Sequence, residues 1–329
     1  MSAGFKVVPV IRALFVSSIV AFMTGCAGAE APPAVFSAKV PAFRDGARLV
    51  VVGDLQRTAP LLEFWREQND AERARVVAAI AAARPELLLI TGDCVFDGAS
   101  GAEWGAFDRL TASWRAAGVP VVSAFGNHEY WGGRAAAEAH VFPRFPLDEQ
   151  RHWFAIAFGP LRVVVLDSNA GDLGDAAWAE ELRWYDETLR TFDADTSVRG
   201  VLVAFHHAPQ SNSTITGDDA RVQRDLVPPF ARARKTLAML NGHVHSYERF
   251  ARDGKTYVVS GGGGGPRATL ETGSARRHAD DLYAGPALRD FNFATYAIGE
   301  RGVSAEVRGI ARGAAEWEVI DRFELEWGE

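Results

Sequence analysis

Five apolar runs in this chain each break into residues able to hold a metal ion. Arg48 to Val52 ends in Gly53-Asp54, and Leu87 to Ile90 ends in Thr91-Gly92-Asp93. Val119 to Phe125 ends in Gly126-Asn127-His128-Glu129, and Val201 to Phe205 runs into His206-His207-Ala208-Pro209. Leu237 to Leu240 leads to Asn241-Gly242-His243-Val244-His245. Taken singly, each has a duller explanation: Gly and Asp commonly end strands, and a lone His is more often hydrogen-bonded than ligating. Together they offer carboxylates, an amide oxygen and imidazoles, a mixed hard and borderline donor set that suits Mn, Fe or Zn. The two histidines of His243-Val244-His245 would share a face on an extended strand, but at a turn they can diverge toward two ions.

Placing those donors together needs strands that end at one rim. The first three runs alternate with helical stretches, so a parallel sheet with helices packed on it is expected. One helical stretch runs from about Leu61 to Ala83 and stops at Pro85; the other carries Trp104, Phe107, Leu110 and Trp114 at helical spacing and closes at Gly118. In such sheets ligands bind outside the carboxyl ends of the strands. Trp153 to Phe158 and Leu161 to Leu166 flank Gly159-Pro160 and read as a hairpin. Helices are expected over Trp178 to Leu189 and near Val222 to Ala233. The C-terminal third reads as antiparallel strands, with a loop over about Thr272 to Leu288. The five glycines Gly261 to Gly265 lack phosphate-loop spacing and its Lys-Ser/Thr, so they imply backbone passing close to the metals.

The 329 residues, 48% apolar and 23% charged, are those of a globular chain that can bury a sizeable core. The net charge of −7 and the lack of any basic block argue against a nucleic-acid backbone as partner. Cys26 and Cys94 are too few for a disulfide framework. Lys6 and Arg12 precede an apolar stretch that is short for a membrane span but suits a signal peptide. Met23-Thr24-Gly25-Cys26 resembles a bacterial lipobox, with Cys26 the acylated residue; the alternative is an ordinary cleaved signal. The expected organisation is a signal over residues 1–26, a proline-containing tether over 27–45 and one domain over 46–329. It places the protein in the bacterial cell envelope, lipid-anchored or secreted, in contact with the membrane through the anchor.

The order GD, GD, GNHE, HHxP, GHVHSYER resembles the calcineurin-like metallophosphoesterase superfamily, and GHVHSYER is most similar to its purple acid phosphatase branch. The resemblance covers about residues 48 to 265. It implies an α/β fold, a four-layer α-β-β-α sandwich of two mixed sheets with the metals at the strand ends. It implies that Asp54 and His245 bind one of two divalent or mixed-valence ions of Mn, Fe or Zn type. Asn127, His206 and His243 would bind the other, and Asp93 would bridge. The implied activity is hydrolysis of a small phosphorylated substrate by water that the ions activate, with His128 giving a proton to the leaving group.

Arg57 is either a phosphate clamp or a solvated arginine, and His207 either a substrate contact or a structural group. Cys94 reads as a small buried side chain, and Ser168-Asn169 are candidates to line the pocket. Two departures touch the first metal site: Asp54-Leu55-Gln56 replaces the superfamily's Asp-x-His, and Phe96 stands where the purple branch carries Tyr. Gln56, water or Asp97 would have to complete that site, and without tyrosinate the protein should not be purple. A phosphomonoesterase is the favoured reading; a phosphodiesterase or nucleotidase, and a surface binding lipoprotein with weakened catalysis, are its rivals.

Overall fold

The computed structural model describes residues 32–59, 64–283 and 285–328. Its strands form two six-stranded sheets. The first holds β1 (Arg48–Val52), β2 (Leu87–Ile90), β3 (Val121–Ser123) and, from the far end of the chain, β10 (Phe291–Ile298), β11 (Gly302–Ile310) and β12 (Glu318–Glu326), in the order β12-β11-β10-β1-β2-β3. The second holds β4 (Phe154–Phe158), β5 (Leu161–Val165), β6 (Gly200–Ala204), β7 (Thr236–Asn241), β8 (Tyr247–Arg252) and β9 (Lys255–Ser260), in the order β4-β5-β6-β7-β9-β8.

Alternation of side chains across each strand decides the layering. Leu49, Val51, Leu89 and Val122 of the first sheet share one buried cluster with Val163, Val165, Leu202, Leu240 and Val258 of the second. The intervening residues Val50, Val52, Leu88 and Ile90 face outward. They pack against Val76 and Ile80 of α1 (Asp70–Ala83), Trp104 and Phe107 of α2 (Gly101–Leu110), Trp114 of α3 (Ala112–Ala116) and Ala137 and Val141 of α4 (Arg134–Val141). On the other side Val164, Val203 and Met239 meet Leu173 of the short α5 (Ala170–Leu173), Trp178, Tyr185 and Leu189 of α6 (Asp175–Ala194), Val222 of α7 (Ala220–Asp225) and Phe230 of α8 (Val227–Arg232). Strands buried on both faces explain why the runs read as continuously apolar. Truncating one of these side chains, Leu89 for example, would cost about 2–5 kcal/mol.

The pairs β1–β2 and β2–β3 are parallel, in register Val51↔Leu89 and Leu89↔Val122. β5–β6, β6–β7 and β7–β9 are parallel as well. The carboxyl ends of β1, β2 and β3 therefore open at one rim, as do those of β6 and β7, and all five donor segments leave from such ends.

Three expectations need correction. Helix α1 starts at Asp70, not near Leu61; residues 60–63 lie outside the described residues, and Phe64 to Trp65 form a turn. The preceding Asn69 does not cap the helix but donates its amide to Gly265 O at 3.2 Å. The tryptophan-bearing helix breaks into α2 and α3 at Thr111, whose hydroxyl donates to Phe107 O at 2.7 Å. The segment read as a tether is docked over its later part. Phe36 is 3% exposed, stacks on Phe145 at 5.3 Å and donates its N–H to Arg144 O, while Ser37 bridges to Pro120. Burial of an aromatic ring outweighs the low regularity that suggested a linker. The C-terminal strands pair antiparallel with their sequence neighbours, as expected, but divide between the two sheets. β9 adds to the second sheet parallel to β7, and β10 crosses back to pair antiparallel with β1. Cys26 and the expected signal lie outside the described residues, among which no helix is long and apolar enough to cross a membrane.

Candidate metal centre

Each donor is set by the turn that ends its strand. Asp54, Asp93 and His243 adopt left-handed backbone, with φ of 61°, 56° and 66°. Such conformations cost an L-residue roughly 1–3 kcal/mol and persist where surrounding structure over-determines them. Here the surroundings are evident: Asp54 N–H donates to Gly92 O at 3.0 Å, and His243 N–H donates to both carboxylate oxygens of Asp54 at 3.0 Å.

Backbone carbonyls aim the imidazoles. His206 Nδ1–H donates to Thr91 O at 2.8 Å, and His245 Nδ1–H donates to Pro266 O at 2.8 Å. A carbonyl only accepts, so in the neutral, metal-binding form of each ring Nε2 carries the lone pair, and it points inward. There His206 Nε2 stands 3.3 Å from Asp93 Oδ2, 3.1 Å from Asn127 Oδ1 and 3.1 Å from His243 Nδ1. On the other side of Asp93, His245 Nε2 lies 3.4 Å from Asp54 Oδ1. Two donor groups result, Asp93-His206-His243 and Asp54-Asp93-His245, each with ligand atoms within 4.8 Å of one another. Asp93 belongs to both.

The electrostatics say that the cluster wants a cation. Burial alone would lower the pKa of His206, yet the Asp93 carboxylate holds it up to about 10. His243, buried beside it, is pushed down to about 2. Burial works to raise Asp93 too, but His206 and its neighbours overcome this and hold it well below the ordinary carboxylate range. Two ring nitrogens and two oxygens converging at about 3 Å make a donor set that fits transition-metal ions.

His128 stands at the mouth. Its Nδ1–H donates to Phe96 O at 2.6 Å, its Nε2 lies 4.0 Å from Asp93 Oδ2, and Trp131 packs on its ring at 4.3 Å. The cleft above the donors has a volume of about 140 Å³ and is lined by Arg66, Asn127, His128, Ile215, Thr216, His243 and His245 among others. A larger groove of about 890 Å³ over the helix-covered face of the first sheet, bounded by Arg75, Phe293 and Trp317, carries no such donor set.

Arg57 is not at this cleft: its Nε donates to Glu103 Oε1 at 2.6 Å, and the nearby cation that does line the cleft is Arg66. His207 is held by Ser168, whose hydroxyl lies 2.8 Å from His207 Nδ1, and its ring stands 4.5 Å from that of His243. It braces a donor rather than lining the opening. Asn169 turns away, donating to Phe125 O and Asp167. Asp97 is occupied by its own turn, accepting from Ala99 N–H at 3.0 Å. The Phe96 ring lies against His128 and Trp131. Cys94 is buried next to Ser123 with its thiol pushed far up by burial, which leaves it unreactive.

The glycine run passes against the donors. A Cβ on Gly261 would stand 2.2 Å from Val244 O and 2.6 Å from Asp54 Oδ2, and one on Gly265 would stand 2.7 Å from the His245 ring.

Sequence reasoning missed Glu129 as a positioning group. Its carboxylate accepts the N–H of Asp93, Cys94 and Gly126 at 2.8, 2.7 and 2.7 Å, and burial with the Asp93 charge raises its pKa to about 7. Its place directly after His128 was the available signal. Nothing in the sequence pointed to the three carbonyls that aim the imidazoles, or to Arg66.

Residues 47–247 match the family model for calcineurin-like phosphoesterases. A probable cyclic nucleotide phosphodiesterase of Moraxella catarrhalis (strain BBH18) is 28% identical over 171 residues, which cover 49% of this chain and 58% of that protein. Purple acid phosphatase 15 of Arabidopsis thaliana is 28% identical over 198 residues, covering 54% of this chain and 34% of that one. The chain thus matches less than two thirds of the length of these relatives. In fold it is similar to the purple acid phosphatase PPD1 of yellow lupin (Lupinus luteus), with a TM-score of 0.68 at 16% identity over 88% of this chain and 55% of that one. With a matching model across more than half of its length and the donors converged at the strand ends, the chain belongs to the calcineurin-like phosphoesterase family.

Proposed function

We propose that the protein is a metal-dependent hydrolase of phosphate monoesters. The observation that carries this reading is Asp93 standing between two donor groups, 3.3 Å from His206 Nε2 on one side and grouped with Asp54 and His245 on the other. A pair of divalent ions bound there would neutralise phosphate charge and lower the pKa of the attacking water. The cleft of about 140 Å³, lined in part by Ile215 and Thr216, suits a phosphoryl group. Arg66 adds a positive charge where a dianionic phosphate would enter. His128 is oriented to protonate the leaving oxygen: Phe96 O fixes Nδ1–H, so Nε2 is the nitrogen facing the cleft.

The likeness to purple acid phosphatases favours a monoester, and the Moraxella relative favours a phosphodiesterase as the second reading. Hydrolysis of para-nitrophenyl phosphate compared with its bis ester separates them. A higher kcat/KM on the monoester is expected; a preference for the bis ester would replace the first reading with the second. We further propose that Cys26 carries a lipid that holds the enzyme at the cell envelope. Metabolic labelling with palmitate should mark the full-length chain and not its Cys26→Ser variant; label in both, or in neither, contradicts the anchor.

A further inference from the structure

We infer that Gln56 is a ligand of the first metal ion, through its side-chain oxygen, at the position that the Asp-x-His pattern gives to histidine; the assignment rests on the metal centre proposed above. Gln56 is 1% exposed, and its backbone N–H donates to Asp93 O at 3.0 Å, so its position at the centre is fixed. One end of its amide, Nε2, stands 3.0 Å from Asp93 Oδ2 and 3.2 Å from His245 Nε2. The other end, Oε1, is buried without a hydrogen-bond partner. Ligands about 2.1 Å from a common ion stand roughly 3.0–3.4 Å from one another in octahedral or tetrahedral arrays. The amide end facing Asp93 and His245 keeps that spacing, and His245 keeps it to Asp54 Oδ1 at 3.4 Å.

The orientation of the amide then depends on what lies at the centre. Asp93 Oδ2 and the lone pair of His245 Nε2 are both acceptors, so without a cation they favour the NH2 group inward. A cation takes both lone pairs for itself and repels the amide hydrogens. Rotation of the amide by half a turn, which preserves its shape, then sets the oxygen toward the ion. Either orientation leaves the outward half of the amide without a partner, so the inward contact decides. Phe96 has no donor atom, and Asp97 belongs to neither donor group. The first site thereby has Asp54, Asp93, His245 and Gln56, a set with one fewer imidazole than Asp-x-His would give and hence weaker for soft or borderline ions.

Two measurements test this, and neither reads activity. In crystals of the wild-type protein soaked with Mn²⁺, the inward side-chain atom of Gln56 should lie about 2.0–2.4 Å from the ion next to Asp54. A nearest approach beyond about 3 Å overturns the assignment. In calorimetric titration of metal-stripped protein with Mn²⁺, Gln56→Leu should weaken one of two binding events at least tenfold and leave the other unchanged. Gln56→His should restore it. Two events of unchanged affinity in Gln56→Leu contradict the role. Wild-type protein that takes up no Mn²⁺ overturns the whole centre, so the two failures are distinguishable. Should Gln56→Leu not fold, judged by its melting transition, the wild-type crystal decides alone.

Discussion

Glu129 Oε2 accepts the backbone N–H of Asp93 at 2.8 Å, so a carboxylate one step outside the donor set holds the residue shared by both donor groups. The same side chain takes up the N–H groups of Cys94 and Gly126. Glu129→Ala would leave three buried N–H groups without an acceptor, at about 1–3 kcal/mol each before relaxation. The expected result is a melting temperature lowered by many degrees together with reduced uptake of Mn²⁺, read by calorimetry and metal analysis. Unchanged melting would show that water replaces the carboxylate.

His128 touches the cleft and contributes to neither donor group. Its replacement by Ala should therefore leave metal content intact while slowing hydrolysis of alkyl phosphates by about 10²–10⁴-fold. The loss should be smaller for para-nitrophenyl phosphate, whose leaving group needs little help from a proton. Equal losses on both substrates would mean that His128 binds phosphate and does not donate.

Glu248 supplies a pH dependence away from the metals. Its carboxylate is buried, accepts from Ser211 Oγ at 2.6 Å and Asn212 N–H at 2.8 Å, and burial raises its pKa to about 7. A carboxyl raised in the folded state favours folding below the unfolded pKa, and that contribution disappears as pH climbs through the folded value. Between pH 4.5 and 7 this group should remove stability on the order of 3 kcal/mol at most. Denaturant unfolding at pH 5 and pH 8 should show the slope, and Glu248→Gln should flatten it. An unaltered slope in that variant assigns the effect elsewhere.

Adding one methyl group tests the close passage of the glycine run. Gly261→Ala should impair folding or metal uptake, since its Cβ would meet the fixed backbone oxygen of Val244 at 2.2 Å. Gly171→Ala, with nothing within 4 Å, should melt like the wild type. Similar melting of both variants would refute the packing argument.

Much of the site was legible because its donors follow strands whose apolar runs are unmistakable. Asp54, Asp93, Asn127, His206, His243 and His245 all stand within the two converging groups or in contact with them. Sheet order was less accessible. The insertion of β10 beside β1 and of β9 beside β7 pairs segments far apart in the chain, and no local pattern encodes a partner. The docking of Phe36 depends on a pocket between Phe107 and Phe145 that exists only once α2 and the loop after α4 have packed. Arg57 was the cation that the first motif offered, and nothing marked Arg66. Glu103, set by the Ser100 cap of α2, removes Arg57 from the cleft. Glu129 read as one more rim carboxylate, because its three backbone donors converge only in the folded loop.

The most direct measurement strips the protein with chelator, returns Mn²⁺ stepwise and follows hydrolysis of para-nitrophenyl phosphate. Activity should vanish on stripping and return in full near two equivalents, while Asp93→Ala stays inactive throughout. Hydrolysis that survives stripping, or protein that binds its Mn²⁺ and turns over no phosphate ester, would contradict the account.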